Sequence, residues 1–303
     1  MDASIKNSPC NTLLKAMLCV TTLLTGSLAS TMAQAVDVDA GDYTALPDGT
    51  NLGLLYYQYA TRDSIYADGH KVADNATLDS NIGIARGVHY MDIGGYIVDP
   101  QFLLPFGQLK AKDDISALGD ASGVGDLILA ATVWLVNQPK TDTYFGITPF
   151  LYVPIGSYDK DDALNIGENR WKLALQAGYI TGLTDKVSID LVGDVTFFGK
   201  NDEYTAAKAT LKQDAVVQLQ GFLRYKLKPT WDLRTGFSYS FGGETEVDGT
   251  DSDDKIETAK FTVGTAWFAL PTLQLIANYG RDVSVENGFR EENRLNLRVL
   301  MVF

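Results

Sequence analysis

The last thirteen residues, 291–303, read Glu-Glu-Asn-Arg-Leu-Asn-Leu-Arg-Val-Leu-Met-Val-Phe. Side chains alternate across a strand, so Leu295, Leu297, Val299, Met301 and Phe303 share one face, and Arg294, Asn296 and Arg298 share the other. A terminal strand with one wholly apolar face, ending on an aromatic ring, sits poorly in a soluble sandwich. It suits the closing strand of a membrane barrel, whose alternate residues face lipid. The expectation is an all-β protein: a transmembrane antiparallel up-and-down β-barrel of about 12 strands.

The N-terminal stretch 1–35 has the form of an export signal. Lys6 and Lys15 precede an apolar run from Ala16 to Leu28, and Ala33-Gln34-Ala35 supplies the small residues of a cleavage site. That run is shorter than the roughly 20 apolar residues a spanning helix needs. Both cysteines, Cys10 and Cys19, fall inside the signal, which leaves the mature chain without a disulfide, a thiol nucleophile or a cysteine metal site. The full chain carries 25 Lys+Arg against 38 Asp+Glu; without Lys6, Lys15 and Asp2 the balance is 23 against 37, a net charge of −14. Such acidity speaks against a nucleic-acid partner.

Residues 36–49 are acidic, contain Pro47 and show no period, so they read as a periplasmic leader, with tucking into a lumen as the other course. From residue 50 to 303 the chain reads as the barrel. Strands are expected at 51–61, 78–91, 95–109, 124–136, 143–155, 170–182, 186–199, 215–228, 231–242, 258–269, 272–282 and 292–303. Their connections alternate without a miss. Long polar ones at 62–77, 110–123, 156–169, 200–214, 243–257 and 283–291 take turns with short ones at 92–94, 137–142, 183–185, 229–230 and 270–271. Long extracellular loops and short periplasmic turns produce that order, and the even strand count then puts both chain ends in the periplasm.

Periodicity also assigns the faces. Leu219, Leu223, Tyr225 and Leu227 oppose Gln218, Gln220, Arg224 and Lys226, while Leu233, Phe237 and Tyr239 oppose Asp232, Arg234 and Ser238. Trp231 and Trp267 fall near short turns and Trp171 near a long loop, as interfacial girdle residues do. Trp134 is the exception, since parity puts it on the Asp126 side unless a bulge intervenes. The lumen-facing candidates for solute contact are Asp126, Arg170, Lys172, Asp190, Asp194, Arg224, Lys226, Arg234, Arg294 and Arg298. Mixed charges on neighbouring strands also suit ion-pair ladders that narrow a small lumen.

Catalytic chemistry finds little support. The mature chain has two histidines, His70 and His89, and no local signature places serine, histidine and an orienting group together, so a lipid-modifying enzyme resting on His89 is the least favoured reading. The acidic tips at 159–162 and 251–254 lack the glycine and distal glutamate spacing of a calcium loop. They read as solvated loops, with divalent bridging to lipopolysaccharide as an alternative. No cofactor is expected.

Three stretches carry a family resemblance: Gly123-Val124-Gly125-Asp126-Leu127, Pro154-Ile155-Gly156-Ser157-Tyr158 and Asn165-Ile166-Gly167-Glu168-Asn169-Arg170-Trp171. In this order and spacing the chain resembles the outer-membrane proteins named for the meta-pathway of phenol degradation. The resemblance implies an outer-membrane transporter of a Gram-negative-type bacterium, in contact with lipid and lipopolysaccharide and inserted by the barrel-assembly machinery. It also implies passive entry of small hydrophobic or aromatic solutes; a plugged structural or surface-interaction barrel is the alternative. Met301 departs from the aromatic that assembly signals favour two residues before the end.

Overall fold

The computed structural model describes residues 37–303, so the signal expected at 1–35 lies outside the described residues. Twelve long strands make the wall: β1 (Asn51–Ala67), β2 (His70–His89), β3 (Tyr96–Ala111), β4 (Leu127–Gln138), β5 (Thr143–Val153), β6 (Lys172–Gly182), β7 (Val187–Phe198), β8 (Val216–Lys228), β9 (Trp231–Gly242), β10 (Ile256–Leu270), β11 (Leu273–Val285) and β12 (Gly288–Val302). Each pairs antiparallel with its sequence neighbours. The ring closes where β12 meets β1, with Val302 opposite Leu52 and Val299 opposite Leu55. Closure removes the free edges that an open sheet leaves for aggregation.

The two faces of β12 differ as its period requires. Leu297 and Met301 are 39% and 49% exposed, whereas Arg298 between them is 6% exposed. Apolar side chains outside and a guanidinium inside invert the soluble-protein pattern, which is stable only where the outer medium is hydrocarbon. Trp231 and Trp267 are exposed direct cross-strand partners near the short-turn end, and the Trp231 indole N–H donates to Thr265 Oγ1 at 2.7 Å. Trp171, also exposed, lies near the opposite rim. The start of β1 meets the end of β12 at the short-turn end, where the Asn51 N–H donates to the Phe303 carbonyl.

Two features differ from the sequence reading. First, 62–77 and 283–291 are mostly strand: β1 and β2 turn only at Asp68-Gly69, both at positive φ, and β11 and β12 turn at Glu286-Asn287. The two hairpin tips join through the Gly69 N–H on the Glu286 carbonyl. Beyond the bilayer both faces of a strand can be polar, so the hydrophobic period fades while the backbone ladder continues. Second, other long connections carry order of their own, including a 3₁₀ turn at Asp113–Leu118 and a three-stranded cap built from Leu211–Gln213, Thr245–Val247 and Thr250–Asp251. Trp134 faces inward on the Asp126 side, where parity put it, and the bulge between β4 and β5 comes after it.

Candidate functional site

The leader lies inside the barrel, and this corrects its assignment to the periplasm. Residues 37–49 form no strand; a tight turn sets their course, with Gly41 at φ +95° and the Thr44 N–H on the Gly41 carbonyl. Three acids of this segment meet arginines of the wall. Asp39 and Asp42 lie 3.0 and 2.6 Å from Arg298, Asp42 lies 3.5 Å from Arg86, and Asp37 lies 3.1 Å from Arg294. The Ala40 carbonyl accepts from Arg234 at 2.8 Å, and the Gly41 N–H donates to Asp190 at 2.6 Å. Asp190 in turn holds Arg224 at 3.0 Å. An aperiodic acidic peptide gains these partners only in a basic lumen that excludes most water, where charge pairing is strongest.

Tyr43 is the centre of the leader's contact with the wall. Its hydroxyl lies 2.9 Å from Thr148 Oγ1 and 3.0 Å from Gln176 Oε1, and its carbonyl accepts the Trp134 indole N–H at 3.2 Å. Thr148 and Gln176 are direct partners across β5 and β6, and so are Gly146 and Gly178 beneath the ring. A Cβ at Gly178 would come within 2.2 Å of that ring. Two glycines in register therefore make a flat recess that any larger side chain would fill. Trp134 stacks on Tyr90 with centroids 5.4 Å apart and borders the same recess.

The opposite, long-loop side of the lumen is covered by residues 156–169. Asp126 anchors them with both oxygens, accepting the Gly156 N–H at 2.9 Å and the Glu168 N–H at 3.0 Å. Gly156 packs against Gly125, and Gly167 against Gly156, so closely that a Cβ would lie 2.7 and 2.8 Å from backbone carbon. The three separated glycine stretches of the sequence thus converge on one contact. Burial pushes the Asp126 carboxyl up, against the two N–H groups that favour its charged form. Glu168 ties the cover to the wall, accepting from Arg170 at 2.8 Å and from Lys172. Although burial alone would raise it, the Lys172 and Arg170 charges hold the Glu168 carboxyl at about 2. Arg170 also lies over the Phe198 ring and Lys172 over the Tyr152 ring.

Between leader and cover lies a cavity of about 260 Å³. One side is apolar, formed by Leu78, Ile84, Leu103, Ile128 and Phe150 on β2–β5 with Ile166 of the cover. The other is charged, with Arg62, Glu291, Arg294 and Asp37. Glu291 accepts from Arg62 and Lys260 and neighbours Arg294.

Of the sequence candidates, Asp126, Lys172 and Arg294 line the cavity, while Arg170 lies behind the cover. Asp190, Arg224, Arg234 and Arg298 hold the leader instead. Asp194 is buried beside Gln176, and Lys226 pairs with Asp142 near the short-turn end. The sequence reading missed Arg62 and Glu291, which it placed in loops, and the Tyr43 recess. For the recess a signal existed: Gly146 and Gly178 stand in the lumen phase of otherwise well-filled strands. His89 is taken up by Asn51 at 2.8 Å. Among the described residues no group of three His, Cys, Asp or Glu side chains is arranged as a metal site.

A closed twelve-strand barrel with an apolar exterior, aromatic rims and a charged interior defines an outer-membrane β-barrel protein, and the chain resides in the outer membrane of a Gram-negative-type bacterium. Residues 61–299 match the family described as the MetA-pathway of phenol degradation, and the chain belongs to that family. It is similar to the COG4313 outer membrane channel from Pseudomonas putida F1, with 45% identity, a TM-score of 0.85, and coverage of 88% of this chain and 100% of the other. The β domain of the Bordetella autotransporter BrkA shares the barrel fold alone, at 8% identity and a TM-score of 0.51 over 83% of this chain and 98% of that one. No curated protein matches the chain.

Proposed function

We propose that this protein is a passive channel for small hydrophobic or aromatic solutes, gated by its own leader and the 156–169 cover. The observation that carries the reading is the two-sided cavity of about 260 Å³ between those two segments. An apolar arc offers burial to a ring or alkyl body, and the facing ion pairs offer hydrogen bonds to a polar substituent. The leader makes no ladder with the wall, so side-chain contacts and a few isolated hydrogen bonds hold it, and its release needs no strand to unpair. Selection then rests on pore width and lumen charge, and the reading assigns no chemical step.

The filled lumen favours a second reading, a permanently plugged barrel whose loops serve contact with lipopolysaccharide. Planar-bilayer conductance separates the two. A chain lacking residues 37–46 is expected to conduct more than the full mature chain, and cells making it are expected to take up toluene faster than cells without the protein. Equal current and equal uptake in both comparisons would remove the channel reading.

A further inference from the structure

Tyr43 occupies its recess in the way a ligand occupies a site. The ring lies flat over Gly146 and Gly178, the hydroxyl meets Thr148 and Gln176, and Thr148 passes the chain of hydroxyls on to Thr132 at 3.0 Å. Buried aromatic hydroxyls require such partners, and here two facing strands supply both the flat seat and the polar end. The recess is continuous with the cavity, since Tyr43, Thr132, Thr148 and Gln176 all line it. A solute in the cavity therefore stands beside a seat shaped for a ring bearing one hydroxyl.

We propose that this seat is a hydroxyaryl-binding site on the channel wall, filled in the closed state by the chain's own tyrosine and filled by a phenolic solute when the leader is displaced. The proposal deepens the channel reading and rests on it for its role in passage, though not for binding itself. The side chain of Tyr43 is a para-substituted phenol, so a free phenol can make the same ring contacts and the same two hydrogen bonds. Tethering gives the tyrosine a high effective concentration, which masks the site in the intact protein. Removing the ring unmasks it. Adding a Cβ at Gly178 fills it, because that atom would stand where the ring stands.

The test uses the purified mature protein, titrated with phenol, benzene and cyclohexanol and read by the emission of Trp134, with Trp134→Phe as the background. Tyr43→Ala is expected to show a saturable response to phenol at concentrations where the intact protein shows none. Benzene is expected to bind about tenfold more weakly or worse, because a seat built for a hydroxyl is left unpaired without one, and cyclohexanol likewise, because its puckered ring does not lie flat over Gly146 and Gly178. Gly178→Ala added to Tyr43→Ala is expected to abolish the response. A Tyr43→Ala protein that ignores phenol, or binds phenol and benzene alike, overturns the proposal.

If Tyr43→Ala does not assemble, Tyr43→Phe serves: it keeps the ring, loses the hydroxyl bonds, and is expected to yield to phenol at about tenfold lower concentration than the intact protein. Equal concentrations overturn the proposal. Bilayer current on the same samples keeps the two claims apart. Trp134 titration without any current response in any variant retains the site and removes the channel, whereas an open pore whose Trp134 ignores phenol retains the channel and removes the site.

Discussion

Arg298, five residues from the end of the chain, lies 2.6 Å from Asp42 of the leader, 256 positions away. The same guanidinium nitrogen lies 3.0 Å from Asp39 and the side chain is only 6% exposed, so the closing strand also fastens the lumen plug. Removing one member of a buried pair leaves the others charged and unsolvated. Arg298→Met is therefore expected to lower stability by about 3–5 kcal/mol and to release the leader. Urea midpoints and protease cutting within 37–49 check this; a leader as resistant as in the intact protein would sink it.

The packing of Gly156 on Gly125 leaves no room for a methyl group. Gly156→Ala is expected to cost about 1–3 kcal/mol, the range for overpacking a tight contact, because its two nearest neighbours are backbone atoms of Gly125 and Asp126 and cannot rotate away. The displaced cover should also raise bilayer current. A variant with unchanged heat-modifiable gel mobility midpoint and unchanged current would contradict this account of the glycine stretches.

Glu168 gives the cover a defined pH dependence. Folding holds its carboxyl at about 2 against an ordinary value of 4.5. A carboxyl lowered in this way stabilises the folded form fully above pH 4.5 and loses that contribution as pH falls toward about 2. Near neutrality the contribution is of order 3 kcal/mol. The difference in midpoint between the intact protein and Glu168→Gln is expected to be constant above pH 5 or so and to shrink below it. A difference unchanged at the acid end would show that the Arg170 and Lys172 contacts do not set the acidity.

Leu297 lies on the lipid face, opposite Tyr57 of β1 and Ala277 of β11. Leu297→Arg is expected to cost about 2–4 kcal/mol in a bilayer, the penalty for a charge at mid-depth on that face. Leu297→Phe should be close to neutral. Folding yield into lipid vesicles checks the pair, and equal yields would place this face elsewhere than in hydrocarbon.

Much of this architecture was legible locally. Alternation is a property of neighbouring residues, so Leu295 to Phe303 and the outward rows of β6–β9 could be assigned to one face without knowing their partners. Loop lengths then ordered the ends. The same logic misplaced 62–77 and 283–291, because strands that leave the membrane have no apolar row to mark them, and Arg62 and Glu291 were hidden in those spans.

The sequence by itself determined the barrel, its two faces and the inward charge, since each follows from a period of two and from the chemistry of the residues on it. Tertiary structure alone decided what the interior holds. Asp42 meets Arg298, Tyr43 finds Gly146 and Gly178, and Gly125, Gly156 and Gly167 stack on one another. Those contacts join segments with no shared period, and they form only once closure of the ring by β1 and β12 brings distant strands around one small volume.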